Sequence, residues 1–213
     1  MRISEPRRAS GGKGRQDMAK RVGSEKQSWK PGNVLSPAPV VLVSCGGTEG
    51  WKPNLITIAW AGNVCSDPPM LSISVRPERY SFEIIRTTRE FVVNVPSLKQ
   101  ARAVDWCGMV SGRSEDKFSG AGLTPALAQK VHPPIVLECP LNIECRVKEF
   151  LVLGSHTMFV AEVVAVQVSA DLVDGKGRLQ LEKCGLLAFA HGEYFVLGRR
   201  IGKFGFSVRK RSR

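Results

Sequence analysis

Four separate stretches of the chain carry residue types that bind anions and flat rings. "KPNLITIAW" places Asn54 at a turn and Trp60 six residues later along a predicted strand, and "RPERYSFEII" places Ser81 at the start of a predicted helix. "SGRSEDKFS" carries Lys117 in a loop, and "GSHTMF" carries His156 at the start of a strand. Free backbone N–H groups at a helix N-terminus favour a phosphate. Together, the four stretches fit one flat, anionic ligand.

Each stretch also has an ordinary structural interpretation. Asn54 can cap its turn while Trp60 packs in the core, and the residue types by themselves favour this interpretation. Ser81 fits a plain helix N-cap as well as it fits a phosphate contact. Most loop lysines like Lys117 are solvated surface charges, and a lone histidine such as His156 is more often structural than functional. The residue types alone leave both interpretations open.

The standard catalytic signatures do not occur in this sequence. It contains no H-E-x-x-H, no G-x-S-x-G, no G-x-x-x-x-G-K-[ST] and no G-x-G-x-x-G between a strand and a helix. Its three histidines are far apart, and its six cysteines form no C-x-x-C pair, so we expect no metal site and no thioredoxin-like redox pair. If the protein is an enzyme, a cofactor supplies the difficult chemistry. The cysteines are predicted to be reduced, mostly buried thiols: Cys45, Cys65, Cys107, Cys139, Cys145 and Cys184.

The positive charge of the chain lies at its two ends. The formal net charge is +12 over 213 residues, of which residues 1–30 contribute +6 and residues 199–213 contribute +7. The body between them is therefore nearly neutral. Basic tails can hold RNA, DNA or anionic lipid weakly, but more often they are solvated.

These compositions predict three segments: a disordered basic leader at 1–30, one folded domain at 31–198 and a basic tail at 199–213. The leader lacks the apolar region of a secretory signal, and Met18 opens a second plausible start. Nowhere do about 18 apolar residues follow one another, so we expect no membrane partner and a cytoplasmic location.

Short β-branched runs bounded by Pro, Gly or Asp predict a mainly β fold. Two helices are predicted in addition, from "SFEIIRTT" (81–88) and "LKQARAVDWCGMV" (98–110). "LSISV" and "LNIECRV" alternate strictly, as expected where one face of a strand packs and the other meets solvent or a partner. Six strands with few helices predict a barrel; the six are 40–45, 55–62, 70–75, 91–95, 141–153 and 157–169.

In this order and spacing, the motifs resemble those of the flavin reductase-like split barrels, and among these the flavoredoxins. The resemblance runs from about Lys30 to about Phe195. The motifs that carry it are "SPAPVVLVSC", "KPNLITIAWAG", "PPMLSISVRPERYSFEIIRTTREFVVNVPS", "SGRSEDKF", "LNIECRV", "LGSHTMFVAEVVAV" and "LLAFAHGEYFVLG".

The resemblance implies FMN bound at the edge of a six-stranded antiparallel Greek-key split barrel, in a homodimer whose flavin sites lie near the subunit interface. Carried over residue by residue, the flavin-contacting positions are Asn54, Trp60, Ser81, Lys117, His156 and Phe189. His156 would face the flavin ring and is the expected catalytic residue. Ser81 stands where flavoredoxins commonly have threonine, which keeps the hydroxyl group.

The leading hypothesis is a flavin-dependent oxidoreductase that passes electrons from NAD(P)H, or from a small electron-carrier protein, through FMN to a second acceptor. A non-catalytic FMN electron-transfer or sensing module is the alternative. A basic nucleic-acid-binding barrel is less favoured, because the positive charge lies in the tails. The sequence does not choose the donor or the acceptor.

Overall fold

The computed structural model describes residues 26–48 and 50–208. Most of the predicted leader, including Met18, lies outside the described residues, as do the last five residues of the predicted tail. Backbone contacts divide the chain into two units, Met1–Val34 and Leu35–Arg213, and the fold below is that of the second unit.

Antiparallel strands dominate the second unit. They are β1 (Ala38–Pro39), β2 (Val41–Cys45), β3 (Asn54–Ile58), β4 (Ala61–Ser66), β5 (Pro69–Val75), β6 (Glu90–Val95), β7 (Pro125–Ala126), β8 (Ile135–Val136), β9 (Leu141–Leu153), β10 (His156–Val168), β11 (Leu187–Ala190) and β12 (Glu193–Val196). The main sheet has the order β3-β2-β6-β9-β10-β5-β4, and two small sheets have the orders β1-β11-β12 and β7-β8.

Helices are few and short in the described residues. The α-helices are α1 (Tyr80–Thr88), α2 (Ala101–Met109) and α3 (Lys117–Gly120), and single 3-10 turns occur at Leu98–Gln100, Ala170–Leu172 and Leu181–Lys183. Both predicted helices are therefore present, although the second begins with a 3-10 turn. None of the helices described is long and apolar enough to cross a membrane.

The main sheet is covered on both faces where the site forms. Val41, Val43 and Cys45 of β2 belong to one core cluster, which includes the buried face of α1. Leu42, from the same strand, packs in a second cluster with residues of α2 and β11. Because both faces of β2 and nearly all of β3 are buried, these strands are continuous apolar runs rather than alternating ones.

The mainly β prediction is confirmed, but the main sheet contains seven strands rather than the predicted six. The segment 55–62, predicted as one strand, bends at Ala59 and Trp60 and forms β3 and β4. The backbone N–H of Ser74 on β5 donates to the carbonyl of Trp60 at 2.8 Å, which fixes this bend against the next strand. The bend turns Trp60 out of the core.

The polar face of β9 differs from the sequence expectation. The alternation of "LNIECRV" predicts a face open to solvent or a partner, yet Asn142 and Glu144 are buried. A preceding loop covers Glu144, which accepts backbone N–H bonds from Gln129 and Lys130, at 2.9 and 2.6 Å. Asn142 donates to the Asn94 Oδ1 at 2.8 Å. The hydrogen bonds replace the lost hydration, so the polar residues are tolerated inside.

Candidate functional site

The six residues predicted from the sequence come together along one groove. Asn54, Ser81 and Lys117 line a small pocket of about 130 Å³, which we call the polar pocket. Trp60, His156 and Phe189 line an adjoining cavity of about 360 Å³, which we call the flat cavity. The two spaces share four lining residues, so they lie side by side, and we call them together the groove; the shared residues are Ile56, Arg79, Gly108 and Met109.

The polar pocket is built from the first residues of three elements. Asn54 opens β3, Ser81 is the second residue of α1, and Lys117 opens α3. The Asn54 side-chain Nδ2 donates to the Ser81 Oγ at 2.8 Å. All three side chains are buried, with 4% exposure or less. The ordinary interpretation of Ser81 as an N-cap is wrong: Arg79 occupies the N-cap position, and its side chain makes no capping bond.

Lys117 is held in the pocket by the chain on either side of it. Asp116 is the N-cap of α3 and accepts bonds from the backbone N–H groups of Phe118 and Ser119. The Lys117 Nζ donates to the carbonyl of Cys107 on α2 at 2.7 Å. Burial lowers the pKa of this lysine, and the nearby Arg79 lowers it further, while Cys107 and Cys45 oppose the shift. The ordinary interpretation of Lys117 as a solvated loop lysine is therefore wrong, and the ammonium is an immobilised donor.

Cys45 lies in the hydrophobic core and interacts with Ser81 and Asn54 of the polar pocket. Burial raises the pKa of its thiol to about 12, although interactions with Ser81, Asn54 and the Lys117 charge oppose this. The thiol is thus protonated at neutral pH and is a poor nucleophile, because the thiolate is the reactive form. Its burial in the core cluster indicates packing rather than redox chemistry.

Gly112 allows the backbone of the loop before α3 to approach Asn54. A Cβ atom built on Gly112 would lie 2.0 Å from the Asn54 Oδ1 and 2.9 Å from the Tyr80 ring. Any side chain at this position would push the amide out of place. The glycine in "SGRSEDKF" is therefore required by close packing against the polar pocket, a role that the sequence analysis did not identify.

Aromatic side chains form the walls of the flat cavity. Trp60 and His156 lie nearly parallel, with an interplanar angle of 15° and ring centroids 6.5 Å apart. Trp60 is 43% exposed, so the interpretation of this residue as core is wrong. Phe189 of β11 packs edge-on against Tyr194 of β12 at 5.6 Å, which completes the wall.

His156 is oriented by the hairpin that joins β9 to β10. Gly154 has a positive φ of 64°, which lets the chain reverse in two residues. The Ser155 Oγ lies 2.9 Å from the His156 Nδ1, and among the described residues this is the ring's hydrogen-bond contact. The other ring nitrogen, Nε2, is left for a ligand in the cavity that the ring lines.

Two arginines at the polar pocket were not among the predicted site residues. Arg79 lines both the polar pocket and the flat cavity, and Arg113 lines the polar pocket. The Arg113 side chain donates to the carbonyl of Glu78 at 3.1 Å and lies over the Tyr80 ring. The sequence does contain a signal for both residues, because Arg79 comes just before a predicted helix and Arg113 lies in a glycine-containing loop. Their charge adds to that of Lys117 and the α1 N-terminus.

This donor set suits a phosphate joined to a flat ring. Hydroxyl, amide and ammonium groups line the narrow end, and aromatic rings line the wide end. Within the described residues there is no group of three or more His, Cys, Asp or Glu side chains that could hold a metal ion. The residues present fit FMN, with its single phosphate in the polar pocket and its flat ring in the flat cavity.

Solved structures of other proteins share this fold. A flavoredoxin from Desulfovibrio vulgaris is 31% identical, with a TM-score of 0.80 over 86% of this chain and 100% of its own. An FMN-binding protein from Thermus thermophilus is 25% identical, with a TM-score of 0.71 over 84% of this chain and 99% of its own. A protein with a split barrel domain from Shewanella frigidimarina shares the fold, at 21% identity and a TM-score of 0.72 over 80% of this chain and 87% of its own.

An enzyme component is among the relatives by sequence. The reductase component of a 4-nitrophenol and 4-nitrocatechol monooxygenase from Rhodococcus opacus is 30% identical over 64% of this chain and 68% of its own length. The family model described as "Flavin reductase like domain" matches residues 34–198, which include every residue of both ends of the groove. The chain therefore belongs to the flavin reductase-like family.

Proposed function

We propose that the protein is an FMN-dependent oxidoreductase that passes electrons from a donor through bound FMN to a second acceptor. The observation that carries the proposal is that the two spaces lie side by side: the polar pocket, with its fixed ammonium, shares four lining residues with a half-exposed cavity walled by aromatic rings. A mononucleotide has this same order of parts, with a phosphate at one end and a flat ring at the other.

Three buried groups would hold the phosphate. Lys117 supplies a charge-assisted bond, the Ser81 hydroxyl supplies a neutral one, and the α1 N-terminus contributes backbone N–H groups. Asn54 donates to Ser81 and so orients the hydroxyl toward the pocket. Because these side chains are already fixed in the folded chain, binding costs little ordering entropy.

The flat cavity would hold the ring and control its environment. Bound FMN supplies the ability to accept and release electrons, which no side chain here provides. Trp60 and Phe189 provide apolar surface against a flat ring. His156, oriented by Ser155, presents Nε2 as a donor to the electron-rich edge of the ring and stabilises the negative charge that develops there on reduction.

FMN is favoured over FAD by the chemistry of the narrow end. The polar pocket has a volume of about 130 Å³ and carries donors for one phosphate group. The sequence has no dinucleotide fingerprint to hold a second phosphate and an adenine half. For the same reason, a nicotinamide donor would approach through the open side of the flat cavity rather than through a separate domain. A small electron-carrier protein could use the same opening.

We also propose a homodimer with the flavin sites near the subunit interface. The edge strand β4 is exposed along nearly all of its length, and Val64 on it is 50% exposed. The hairpin end of β9 exposes Leu151, Val152 and Leu153. An exposed edge and apolar residues beside the His156 turn are features that a second copy would cover. We further propose that the protein is cytoplasmic and that its FMN-binding domain spans residues 31–198.

Flavin release tests the proposal directly. We expect the purified chain to be yellow, to run as a dimer in size-exclusion chromatography and to release FMN on heating, identified by chromatography. A dominant FAD peak, or a colourless protein that does not bind added FMN, contradicts the proposal.

Oxidation of NAD(P)H then separates an enzyme from the alternative, a non-catalytic electron-transfer module. We expect the holoprotein to oxidise NADH or NADPH in the presence of a soluble acceptor. If FMN is bound but neither nucleotide is oxidised, a reduced electron-carrier protein is the donor to test. If that carrier also fails to reduce bound FMN, the non-catalytic alternative is supported.

A further inference from the structure

The C-terminal segment from Arg199 onward has no role in the groove described above. It carries seven Lys or Arg and no Asp or Glu, so its net charge is +7. The body between the two basic ends is, in contrast, nearly neutral. Its described part, 199–208, also exposes large apolar side chains: Ile201 (86%), Phe204 (104%), Phe206 (57%) and Val208 (82%). Exposed apolar groups among basic residues require an explanation, because water is a poor environment for them.

The segment is shaped by a local turn. The backbone N–H of Phe206 donates to the carbonyl of Lys203 at 2.9 Å, and Gly205 has a positive φ of 78°. A Cβ atom on Gly202 would lie 2.6 Å from the Phe206 ring, so the ring packs directly on the glycine backbone. The turn buries part of Phe206 but leaves Phe204 wholly exposed.

We propose that the described part of this segment, 199–208, binds the surface of an anionic lipid membrane. Arg199 and Lys203 would meet the negatively charged headgroups, while Ile201, Phe204 and Val208 would enter the boundary between headgroups and acyl chains. Surface binding needs no membrane-spanning segment, so it is compatible with the lack of a long apolar run, on which the expectation of no membrane partner rested.

The apolar residues favour a membrane over a nucleic acid. Phosphates of either partner would attract the basic residues, and bases could stack on the two phenylalanines. Ile201 and Val208 have no π-face and gain nothing from a base, whereas an acyl boundary accepts aliphatic and aromatic side chains alike. An anionic membrane thus explains the exposed Ile201, Phe204 and Val208 together.

Co-sedimentation of the full-length protein with lipid vesicles tests the proposal. We expect binding to phosphatidylcholine vesicles that contain phosphatidylglycerol, weakening as salt is raised, and little binding to phosphatidylcholine alone. The combined variant Ile201→Ser, Phe204→Ser, Val208→Ser keeps every charge and should weaken binding by about tenfold or more. The matched control Leu127→Ser removes an apolar side chain that is 93% exposed in a different loop and should bind like the parent.

Four results overturn the proposal. The first is no binding to anionic vesicles, and the second is equal binding by the triple-serine variant. The third is tighter binding to single-stranded RNA than to vesicles, which assigns the segment to nucleic acid. The fourth is loss of the dimer in the triple-serine variant, which assigns the exposed residues to a contact between subunits. Flavin content, measured alongside, shows that each variant is folded.

Discussion

The polar pocket and the flat cavity differ in how firmly the protein fixes their side chains. Asn54, Ser81 and Lys117 are at most 4% exposed, and each of them takes part in a hydrogen bond. Trp60, at the other end of the same groove, is 43% exposed, and Met109 between the two ends is 77% exposed. The polar pocket therefore has buried, hydrogen-bonded donors, whereas the flat cavity has a half-exposed aromatic wall.

This difference matches two requirements of electron transfer through a bound cofactor. The charged group of the cofactor must be retained through many cycles, which favours a buried, preorganised donor set. Its ring must be reached by a donor and then by an acceptor, which favours an open cavity. We infer that affinity is set mainly in the polar pocket and reactivity in the flat cavity. The predictions below test that division.

Replacing Lys117 by Ala should have the largest effect on affinity. The change removes a hydrogen bond from a charged donor to the phosphate, worth about 1.5–3 kcal/mol, which corresponds to roughly a ten- to hundredfold weaker FMN affinity. Flavin fluorescence during titration of the apoprotein measures it. The control is Lys52→Ala, an exposed lysine outside the groove, which should bind FMN like the parent. Unchanged affinity for Lys117→Ala would remove the lysine from the site.

Gly112→Ala should disturb the same pocket without changing its charge. The added Cβ would overlap the Asn54 amide, at a cost of about 1–3 kcal/mol. We expect weaker FMN binding together with a lower Tm. Gly175→Ala is a matched control, because nothing lies within 4 Å of a Cβ at that loop position. If Gly112→Ala lowers Tm but leaves FMN affinity intact, Asn54 does not support the phosphate.

Alkaline pH should weaken FMN binding through Lys117. Burial lowers the pKa of this lysine, so the apoprotein loses the proton at a lower pH than an ordinary lysine does. A bound phosphate favours the charged form of Lys117, so above the pKa of the apoprotein FMN binding is coupled to the uptake of a proton. In that pH range, the affinity for FMN falls by up to about tenfold per pH unit. Folding stability of the apoprotein rises over the same interval, because the unfolded chain binds more protons there. A Lys117→Met variant should lose this pH dependence of binding, and its persistence would point to another group.

Cysteine substitutions should have the smallest effect on electron transfer. The Cys45 thiol stays protonated because burial raises its pKa to about 12, and no pair of cysteines has redox-motif spacing. Cys45→Ala should cost about 0.5–3 kcal/mol of stability through lost packing while the reduction rate of bound FMN stays the same. Stopped-flow reduction of the holoprotein checks this. A variant that binds FMN but is not reduced would show that a thiol takes part.

Local sequence patterns were sufficient for most of the secondary structure. The alternation of "LSISV" and the apolar run of β2 each reflect how the two faces of the strand are covered. Local patterns of this kind were enough to predict where the strands and helices lie. The bend at Trp60 was missed because β3 and β4 are joined by two residues without Gly or Pro. The burial of Glu144 was missed because the loop that covers it lies more than ten residues away in sequence.

The six residues that line the groove were predicted by their order along the chain, but their environments could not be predicted in that way. No local pattern distinguishes a buried Lys117 from a solvated one, because the burial is produced by contacts with β3 and α2. Likewise, the need for Gly112 depends on Asn54, which lies 58 positions earlier in the chain. Packing between residues far apart in the sequence is set by the tertiary fold, so the periodicity of apolar residues along the chain does not predict it.

The division between the two ends is tested most directly by measuring FMN affinity and midpoint potential in Lys117→Ala and His156→Ala side by side. His156→Ala removes a donor next to the part of the ring that becomes negative on reduction, so it should disfavour reduced FMN and lower the potential, with affinity for oxidised FMN nearly unchanged. Lys117→Ala should weaken binding and leave the potential nearly unchanged. If His156→Ala changes neither quantity, the histidine is only a strand-end residue, and the assignment of reactivity to the flat cavity is wrong.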